Sequence, residues 1–265
     1  MSWVLDLDGV VWLAGDAIPG SAHAVNELRA GGEQVLFVTN FSTLTSAEAL
    51  GRLRAAGVDA DAEDLLTSAM AAASLVRPGE QVLVLAGPGV WEAVEAAGAR
   101  PVEPVGRDSP AVEAVIVGYH TSFDYDRLAA GQQAVRSGAR LIATNSDPTY
   151  PTPERLLPGG GSLVAAVETA SQVRAMVAGK PHSPMADLVH RRVGSTPGDP
   201  ANRRHIVVGD LPSTDGQLAA RLGYRFALVL SGVTTVDAVP DDPPDYVAAD
   251  LAELVAEVLE GSGSA

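Results

Sequence analysis

Two aspartates placed two positions apart are the first residues in this chain that could do chemistry. Asp6 and Asp8 follow an apolar run at residues 3–5, and Asp210 follows another at residues 206–208. In an extended segment, residues i and i+2 point to the same face. Carboxylates this close resist joint ionisation unless a cation lies between them. The set suits Mg²⁺, which takes a few hard oxygen ligands and readily accepts a phosphate oxygen.

The single lysine of the chain, Lys180, is a second such residue. Every other cationic side chain apart from histidine is an arginine. The two are not interchangeable, because lysine is a compact point charge and arginine a wide planar fork. The formal net charge of the chain is −15, so a site for an anion has to create its own positive potential. Lys180 therefore fits a pocket that holds an anionic group.

The elements that position these residues are visible as a repeating pattern. Short apolar runs alternate with longer segments rich in Ala, Leu, Glu and Arg, which predicts an α/β fold with a parallel sheet buried on both faces. The predicted strands cover residues 3–5, 35–38, 82–85, 112–117, 141–143, 176–178, 206–208 and 226–230. The predicted helices include residues 22–30, 46–56, 89–97, 126–137, 162–171 and 214–222.

Polar residues follow four of these predicted strands. They are Asp6 with Asp8, Thr39 with Asn40, Lys180, and Asp210 with Asp215. Ligands of open α/β sheets bind at the carboxyl edge of the strands, so these side chains could converge there.

The middle of the chain forms a module of its own. Residues from about 79 to 174 contain three strand-like runs with their own helices, and clusters of Pro and Gly. We expect this module to be inserted into the first, with a catalytic core at residues 1–77 and 178–265 and an inserted domain at residues 78–177.

Phosphoryl transfer is the reaction that this inventory suits, because it asks mainly for positioning and charge neutralisation. One carboxylate can attack phosphorus and form an aspartyl-phosphate, and a second can protonate the leaving oxygen and then activate water. Thr39 and nearby backbone N–H groups can hold phosphate oxygens. Each motif alone is more often a turn or a helix cap. Four motifs in order, each at a strand end, favour the functional interpretation.

Composition excludes several other classes. The chain has no cysteine, which excludes disulfides and thiolate metal sites, and it has no paired-histidine motif, so zinc is a poor candidate. The acidic balance argues against nucleic acid and anionic membranes as partners. No apolar run reaches membrane-spanning length, and no signal-peptide pattern is visible. We expect a cytoplasmic protein.

The ordered motifs resemble those of the haloacid dehalogenase superfamily, in its nitrophenyl-phosphatase and ribonucleotide monophosphatase branch. The matching segments are Asp6-Leu7-Asp8-Gly9-Val10-Val11, Val38-Thr39-Asn40, Gly179-Lys180-Pro181, and Gly209-Asp210 with Thr214-Asp215. The resemblance implies a Rossmann-like core, an inserted α/β cap that closes over the substrate, and dimerisation through that cap.

The resemblance also implies a role for each residue of these motifs. Asp6 is expected to be the nucleophile and Asp8 the general acid and base. The Asp6 carboxylate, the Asp8 main-chain carbonyl and Asp210 are expected to hold Mg²⁺, with Asp215 supporting them. Of the remaining residues, Thr39 and Asn40 are expected to bind phosphate, and Lys180 to neutralise it and orient Asp6.

The chain departs from the family pattern outside these positions. Phe41 stands where a second Asn is usual, Leu44 where a basic residue is usual, and His120 where an Asp is frequent in the cap. The segment Leu211-Pro212-Ser213 stands where Arg-Leu-Asp is common. These changes leave the expected reaction type in place and bear on substrate range, affinity and rate.

The leading hypothesis is a Mg²⁺-dependent phosphatase acting on a small phosphomonoester: a sugar phosphate, glycerol phosphate, nucleoside monophosphate or p-nitrophenyl phosphate. One alternative is a phosphoacceptor signalling domain, although receiver domains are about half this length and lack Asp-x-Asp on the first strand. Another is a catalytically weak protein that binds a phosphorylated ligand, which the changes at Phe41, Leu44 and Ser213 would allow. The sequence does not name the substrate.

Overall fold

A computed structural model describes residues 1–13, 15–152, 155–240 and 243–262. Its strands are, in chain order, β1 (Ser2–Leu5), β2 (Trp12–Leu13), β3 (Asp16–Ala17), β4 (Gln34–Thr39), β5 (Leu65–Thr67), β6 (Gln81–Leu85), β7 (Arg100–Val102), β8 (Ala114–Val117), β9 (Arg140–Ala143), β10 (Thr149–Pro151), β11 (Leu156–Pro158), β12 (Met176–Val177), β13 (Ile206–Gly209), β14 (Arg225–Val229) and β15 (Tyr246–Ala248). Its α-helices are α1 (Ser21–Ala30), α2 (Ser46–Ala55), α3 (Ser68–Ala73), α4 (Pro88–Ala96), α5 (Tyr125–Arg136), α6 (Gly160–Ser171), α7 (Ser183–Val193), α8 (Gln217–Leu222) and α9 (Leu251–Ser262).

The chain forms two compact units. The first contains Met1–Thr39, Ala49–Leu66 and Ala186–Ala265, and the second contains Asn40–Glu48 and Thr67–Met185. The chain therefore enters the second unit twice, briefly at Asn40–Glu48 and then for Thr67–Met185, before it returns to the first unit. The domain boundaries expected from the sequence, 1–77 with 178–265 and 78–177, stay a prediction.

The first unit is built on a six-stranded sheet in the order β15-β14-β13-β1-β4-β5. Strand β1 pairs in parallel with both β13 and β4, and β14 pairs in parallel with β13 and β15. All residues of β1 and β13 are buried, as expected for parallel strands covered on both faces. Helix α1 packs against β4 and α9, and α9 also packs against β14 and β15.

A buried polar cluster lies at the amino-terminal edge of this sheet. His205 and Tyr224 immediately precede β13 and β14, and the Ser2 N–H donates to His205 Nδ1 over 3.0 Å. Ser195 Oγ lies 2.7 Å from His190 Nδ1 and 2.6 Å from the Tyr224 hydroxyl. Burial lowers the pKa of His190 and His205 and raises the pKa of Tyr224, so all three rings favour the neutral form. The cluster is on the edge of the sheet opposite the predicted site and has a structural role.

The second unit is built on a five-stranded sheet in the order β12-β9-β8-β6-β7, and all of its neighbouring strands are parallel. Helices α5 and α6 pack against each other and against β8. Their apolar faces meet the sheet in a core that includes Leu83, Val115, Ala130 and Val167, each fully buried.

The predicted α/β class with parallel sheet is confirmed. All eight predicted strands are present, although β8 and β12 are shorter than expected. The helix expected at residues 214–222 is wrong in its first part, because Pro212–Gly216 forms a π-helical turn before α8 begins. No helix within the described ranges is both long enough and apolar enough to cross a membrane.

Candidate active site

Asp6 is the first residue after β1, the central strand of the first unit. Its N–H donates to the Val208 carbonyl over 2.9 Å, which continues the pairing of β1 with β13 by one residue. Its Oδ1 accepts the Leu7 N–H over 2.7 Å. The strand therefore fixes the main chain of Asp6, and the following peptide helps to fix its carboxylate.

Asp8 lies in the tight turn that follows. Gly9 has a φ of 81°, which is in the left-handed region that favours glycine. The Gly9 N–H donates to the Trp12 carbonyl over 2.7 Å, which closes the turn. The Trp12 indole Nε1 donates to Asp8 Oδ1 over 3.1 Å. The carboxylate of Asp8 is thus held by an aromatic residue that the sequence analysis did not single out.

Asp210 and Asp215 bring two more carboxylates to Asp6. One carboxylate oxygen from each of the three aspartates lies within 4.8 Å of the other two. Asp210 directly follows β13, and Asp215 lies in the π-helical turn, where its Oδ2 accepts the Leu211 N–H over 3.2 Å. Asp210 is 5% exposed and Asp215 is fully buried.

This cluster has the chemistry of a divalent cation site. Three carboxylates at this separation repel one another when ionised, and the burial of two of them increases the cost of their charge. A cation with a preference for oxygen ligands relieves both costs. Asp6, Asp210 and Asp215 therefore fit Mg²⁺. Asp215 was expected in a supporting role, and the structure brings its carboxylate into the same cluster as the expected ligands.

Thr39 is the last residue of β4, the neighbour of β1. Leu5 pairs with Phe37, so Thr39 and Asp6 both lie at the carboxyl edge of the same sheet. Thr39 is 5% exposed. The expected phosphate ligand and the expected nucleophile therefore belong to adjacent strand ends of the first unit.

Asn40 and Lys180 belong to the second unit. Asn40 Oδ1 accepts the Lys180 N–H over 2.7 Å, and Asn40 Nδ2 donates over 3.2 Å both to the Lys180 carbonyl and to Asp147 Oδ2. The Asn40 carbonyl accepts Ser68 Oγ and Asn145 Nδ2. Lys180 is 3% exposed. The side chain of Asn40 thus holds the main chain of Lys180, and its expected contact with phosphate stays a prediction.

Phe41, the departure next to Asn40, belongs to an aromatic cluster in the second unit. Its ring stacks on Tyr150, with centroids 5.0 Å apart and planes at 22°. Tyr119 lies 6.0 Å from Phe41 and 5.3 Å from Tyr150. Nearby in the chain, burial and then the charge of Arg127 lower the pKa of His120. Phe41 thus places an aromatic ring, packed with Tyr119 and Tyr150, where the family pattern has a polar amide.

The predicted site residues therefore form two groups. The first unit holds Asp6, Asp8, Thr39, Asp210 and Asp215, and the second holds Asn40 and Lys180. Two features were missed: Trp12, and the Ser231–Val233 segment beside Asp210. This segment also follows a predicted strand, and a position after a strand was the signal that identified the other motifs. It was overlooked because its residues carry no charge.

Fold and site together define an α/β protein with an acidic, oxygen-rich centre at the carboxyl edge of a parallel sheet. Comparison with known proteins gives the family. The family model described as haloacid dehalogenase-like hydrolase matches residues 3–100, and a second model, of HAD-like hydrolases, matches residues 177–254.

Named relatives match along almost the whole chain. An acid sugar phosphatase of Staphylococcus aureus is 32% identical over 262 residues, which is 97% of this chain and 97% of that protein. The structure of a glycerol phosphate phosphatase from Mycobacterium tuberculosis in complex with magnesium is 33% identical, with a TM-score of 0.84 over 96% of this chain and 75% of that one. A p-nitrophenyl phosphatase from Archaeoglobus fulgidus is 26% identical, with a TM-score of 0.87 over 97% and 98% of the two chains.

The chain belongs to the haloacid dehalogenase-like hydrolases. The resemblance to the nitrophenyl-phosphatase branch and the expectation of a Rossmann-like core are confirmed. The predicted enzyme class, phosphoric monoester hydrolase, is confirmed at the level of the family and its named members.

Proposed function

We propose that this chain is a Mg²⁺-dependent phosphatase that hydrolyses a small phosphomonoester through an aspartyl-phosphate intermediate. The observation that carries the proposal is the cluster of Asp6, Asp210 and Asp215, whose oxygens lie within 4.8 Å of one another at a strand edge. Asp8, two residues after Asp6, supplies a further carboxylate for proton transfer. The magnesium complex of the related glycerol phosphate phosphatase supports the choice of metal.

The proposed metal ligands are the Asp6 carboxylate, the Asp8 main-chain carbonyl and Asp210, with Asp215 beside them. When bound, Mg²⁺ supplies positive charge against the phosphoryl oxygens. In a chain with a net charge of −15, this local charge offsets the repulsion between protein and substrate.

The proposed reaction has two steps, and Asp6 and Asp8 take part in both. An Asp6 carboxylate oxygen attacks phosphorus, the bond from phosphorus to the alcohol oxygen breaks, and protonated Asp8 gives its proton to that oxygen. Ionised Asp8 then removes a proton from water, which attacks the phosphorus of the aspartyl-phosphate. The bond between phosphorus and the Asp6 oxygen breaks, inorganic phosphate leaves, and both carboxyl groups return to their starting forms.

Thr39, Asn40 and Lys180 bind the phosphate in this proposal. The Thr39 hydroxyl donates to a phosphate oxygen, and the Lys180 ammonium neutralises phosphate charge. Asn40 contributes by holding both main-chain polar groups of Lys180. Fixing the lysine in advance removes part of the ordering cost of binding.

The proposed substrate is glycerol phosphate, a sugar phosphate, a nucleoside monophosphate or p-nitrophenyl phosphate, and the inserted module at residues 78–177 is proposed to select among them. Within the second unit, the aromatic cluster of Phe41, Tyr119 and Tyr150 is the proposed contact for the alcohol part of the substrate. Homodimerisation through the cap and a cytoplasmic location stay predictions.

A phosphate-release assay over a panel of phosphomonoesters tests the proposal. We expect turnover with Mg²⁺, loss with EDTA, and recovery when Mg²⁺ is added back. Asp210→Asn should lose the response to Mg²⁺, whereas Asp16→Asn, an exposed aspartate on β3, should keep it. Activity that survives EDTA contradicts the mechanism. A stable phosphoprotein without turnover supports the signalling alternative, and binding without phosphate release supports the weak binding protein.

A further inference from the structure

The segment Ser231–Val233 follows β14 and lies against Asp210. The Val233 N–H donates to Asp210 Oδ2 over 2.6 Å, and Asp210 is 5% exposed. A hydrogen bond from a backbone N–H to a carboxylate is short and directional. Fixing one carboxylate oxygen also fixes the plane of the group, and therefore the direction of Oδ1. The segment thus sets the orientation of Asp210.

The carboxylate of Asp210 lies against Gly9 and Gly232, and it fits there only because neither residue has a side chain. A Cβ placed on Gly232 would overlap Asp210 Oδ2, and so would a Cβ placed on Gly9. Gly232 does not have a left-handed backbone conformation, so alanine is excluded there by the carboxylate and not by backbone strain. The carboxylate of Asp210 therefore fills a slot between two peptide segments.

A third contact joins the two sides of this slot. Ser231 Oγ donates to the Gly9 carbonyl over 2.6 Å. Gly9 belongs to the turn that begins at Asp6 and contains Asp8, and Ser231 belongs to the loop after β14. The serine hydroxyl thereby connects the turn that carries the proposed nucleophile to the loop that orients Asp210.

We infer that Ser231, Gly232 and Val233 are positioning residues that preorganise Asp210 for a divalent cation. The inference rests on the proposed function, since it assigns the cation site to Asp6 and Asp210. Groups that hydrogen-bond to a ligating side chain fix its direction, and their loss typically costs about 10- to 100-fold in metal affinity. None of the three residues contacts substrate in this scheme, and each acts through Asp210.

Direct binding of Mg²⁺ to the full chain, measured by isothermal titration calorimetry without substrate, tests the inference. We expect Gly232→Ala to weaken Mg²⁺ binding about 10- to 100-fold, because the added methyl group displaces the carboxylate. Ser231→Ala removes one hydroxyl without adding bulk and should weaken binding several-fold, by roughly the tenfold or less that one hydrogen bond contributes. In both variants, high Mg²⁺ should restore turnover with glycerol phosphate, and the substrate KM at saturating Mg²⁺ should stay unchanged.

Two control variants match these changes. Gly51→Ala adds a methyl group on α2, where no atom lies within 4 Å apart from its chain neighbours and the backbone of its own helix. Ser74→Ala removes a similar hydroxyl-to-carbonyl bond, from Ser74 Oγ to the Ala71 carbonyl over 2.7 Å. Both controls should bind Mg²⁺ like the unchanged chain. Circular dichroism establishes that each variant is folded.

The outcomes separate this inference from the proposed function. Failure of the unchanged chain to bind Mg²⁺ overturns the proposed function and the inference with it. Normal Mg²⁺ binding by the unchanged chain, together with unaltered affinity in folded Ser231→Ala and Gly232→Ala, overturns only the inference. If Gly232→Ala does not fold, the test depends on Ser231→Ala. Unaltered Mg²⁺ affinity in this variant refutes the inference, and weaker Mg²⁺ affinity supports it.

Discussion

The indole Nε1 of Trp12 donates a 3.1 Å hydrogen bond to Oδ1 of Asp8. Trp12 is 7% exposed, so its ring is held by packing, and an indole N–H can only donate. Asp8 is the proposed proton carrier of both half-reactions. The bond therefore restrains the rotamer of the group that must reach first the leaving oxygen and then the attacking water.

Trp12→Phe tests this relationship. Phenylalanine keeps most of the buried ring and removes the N–H, so Asp8 loses its restraint while the turn stays packed. We expect kcat to fall about tenfold, the size of one hydrogen bond to a charged group, with little change in KM. Steady-state kinetics with glycerol phosphate measures both constants. Trp91→Phe, at a half-buried tryptophan of α4, serves as the control and should leave kcat unchanged.

Asp6→Asn and Asp8→Asn test the two catalytic carboxylates. Asparagine at position 6 is a poor nucleophile, so turnover should be lost entirely. Asparagine at position 8 cannot carry the proton, and kcat should fall by roughly 10²- to 10⁴-fold, the usual scale of acid and base catalysis. Single-turnover assays with phosphate detection measure both effects. Near-normal turnover in Asp8→Asn would show that another group moves the proton.

Lys180→Arg tests whether the size of the cation matters. Lys180 is 3% exposed and both polar groups of its main chain are bonded to Asn40, so the backbone cannot shift to make room. We expect kcat/KM to fall by about 10²- to 10³-fold in Lys180→Arg, nearly as far as in Lys180→Ala, on the scale of losing one charge-stabilising donor. A fully active arginine variant would show that charge alone is sufficient.

Phe41→Asn tests the aromatic cluster as a selector. The change restores the amide that the family pattern has and removes the stacked contact with Tyr150. Aromatic contacts of this kind contribute about 0.5–1.5 kcal/mol, so kcat/KM for p-nitrophenyl phosphate should fall about 2- to 10-fold relative to glycerol phosphate. Tyr125→Asn, at a ring that is 70% exposed in the same unit, is the control. An unchanged ratio of the two substrates would mean that Phe41 does not contact the alcohol group.

The histidines at the amino-terminal edge of the first sheet predict how stability depends on pH. Burial is the main cause that lowers the pKa of His190 and of His205, helped at His205 by the nearby Arg204 charge. The unfolded chain therefore binds protons at a higher pH than the folded chain does. Stability from these rings is fully present above the unfolded pKa of about 6.5, and it is lost as the pH falls through the lower folded values.

Thermal unfolding between pH 7.5 and pH 5 checks this sign. The Tm should fall as the pH falls, and the slope should be smaller in His190→Gln, because glutamine does not titrate. His23→Gln is the matched control for the substitution itself, since the side chain of His23 is 78% exposed and lies outside the buried cluster. A Tm that rises toward pH 5 would show that these rings gain a proton on folding.

Strongly apolar segments made most of the fold predictable from the sequence. Strands β4, β6 and β13, for example, contain runs of Val, Leu, Ile and Phe that are buried. The strands that were not predicted have only two or three residues each and are defined by pairing with a neighbouring strand; they are β2, β3, β5, β7, β10, β11 and β15. Residues 214–216 were taken as the start of a regular helix, but they belong to the π-helical turn Pro212–Gly216.

The candidate site was also only partly predictable from the sequence. Charged residues at strand ends were recognisable because their chemistry is unusual in that position. Trp12, Ser231 and Gly232 were not, because their contributions are one ring N–H, one hydroxyl and the absence of a methyl group. Such contributions depend on which atom lies opposite, and this is known only once the chain has folded.

The pairing of β1 with β13 determines the order in which the nascent protein can assemble. Trp3 pairs with Val35 of β4 and with Ile206 of β13, so one neighbour of the central strand is synthesised soon after it and the other some two hundred residues later. At typical translation rates of about 5–20 residues per second, this delay is roughly 10 to 40 s. The second unit ends at Met185 and can close before β13 leaves the ribosome. Asp210, next to β13, therefore joins Asp6 late in synthesis, and a released chain truncated after residue 200 should resist protease only in its second unit.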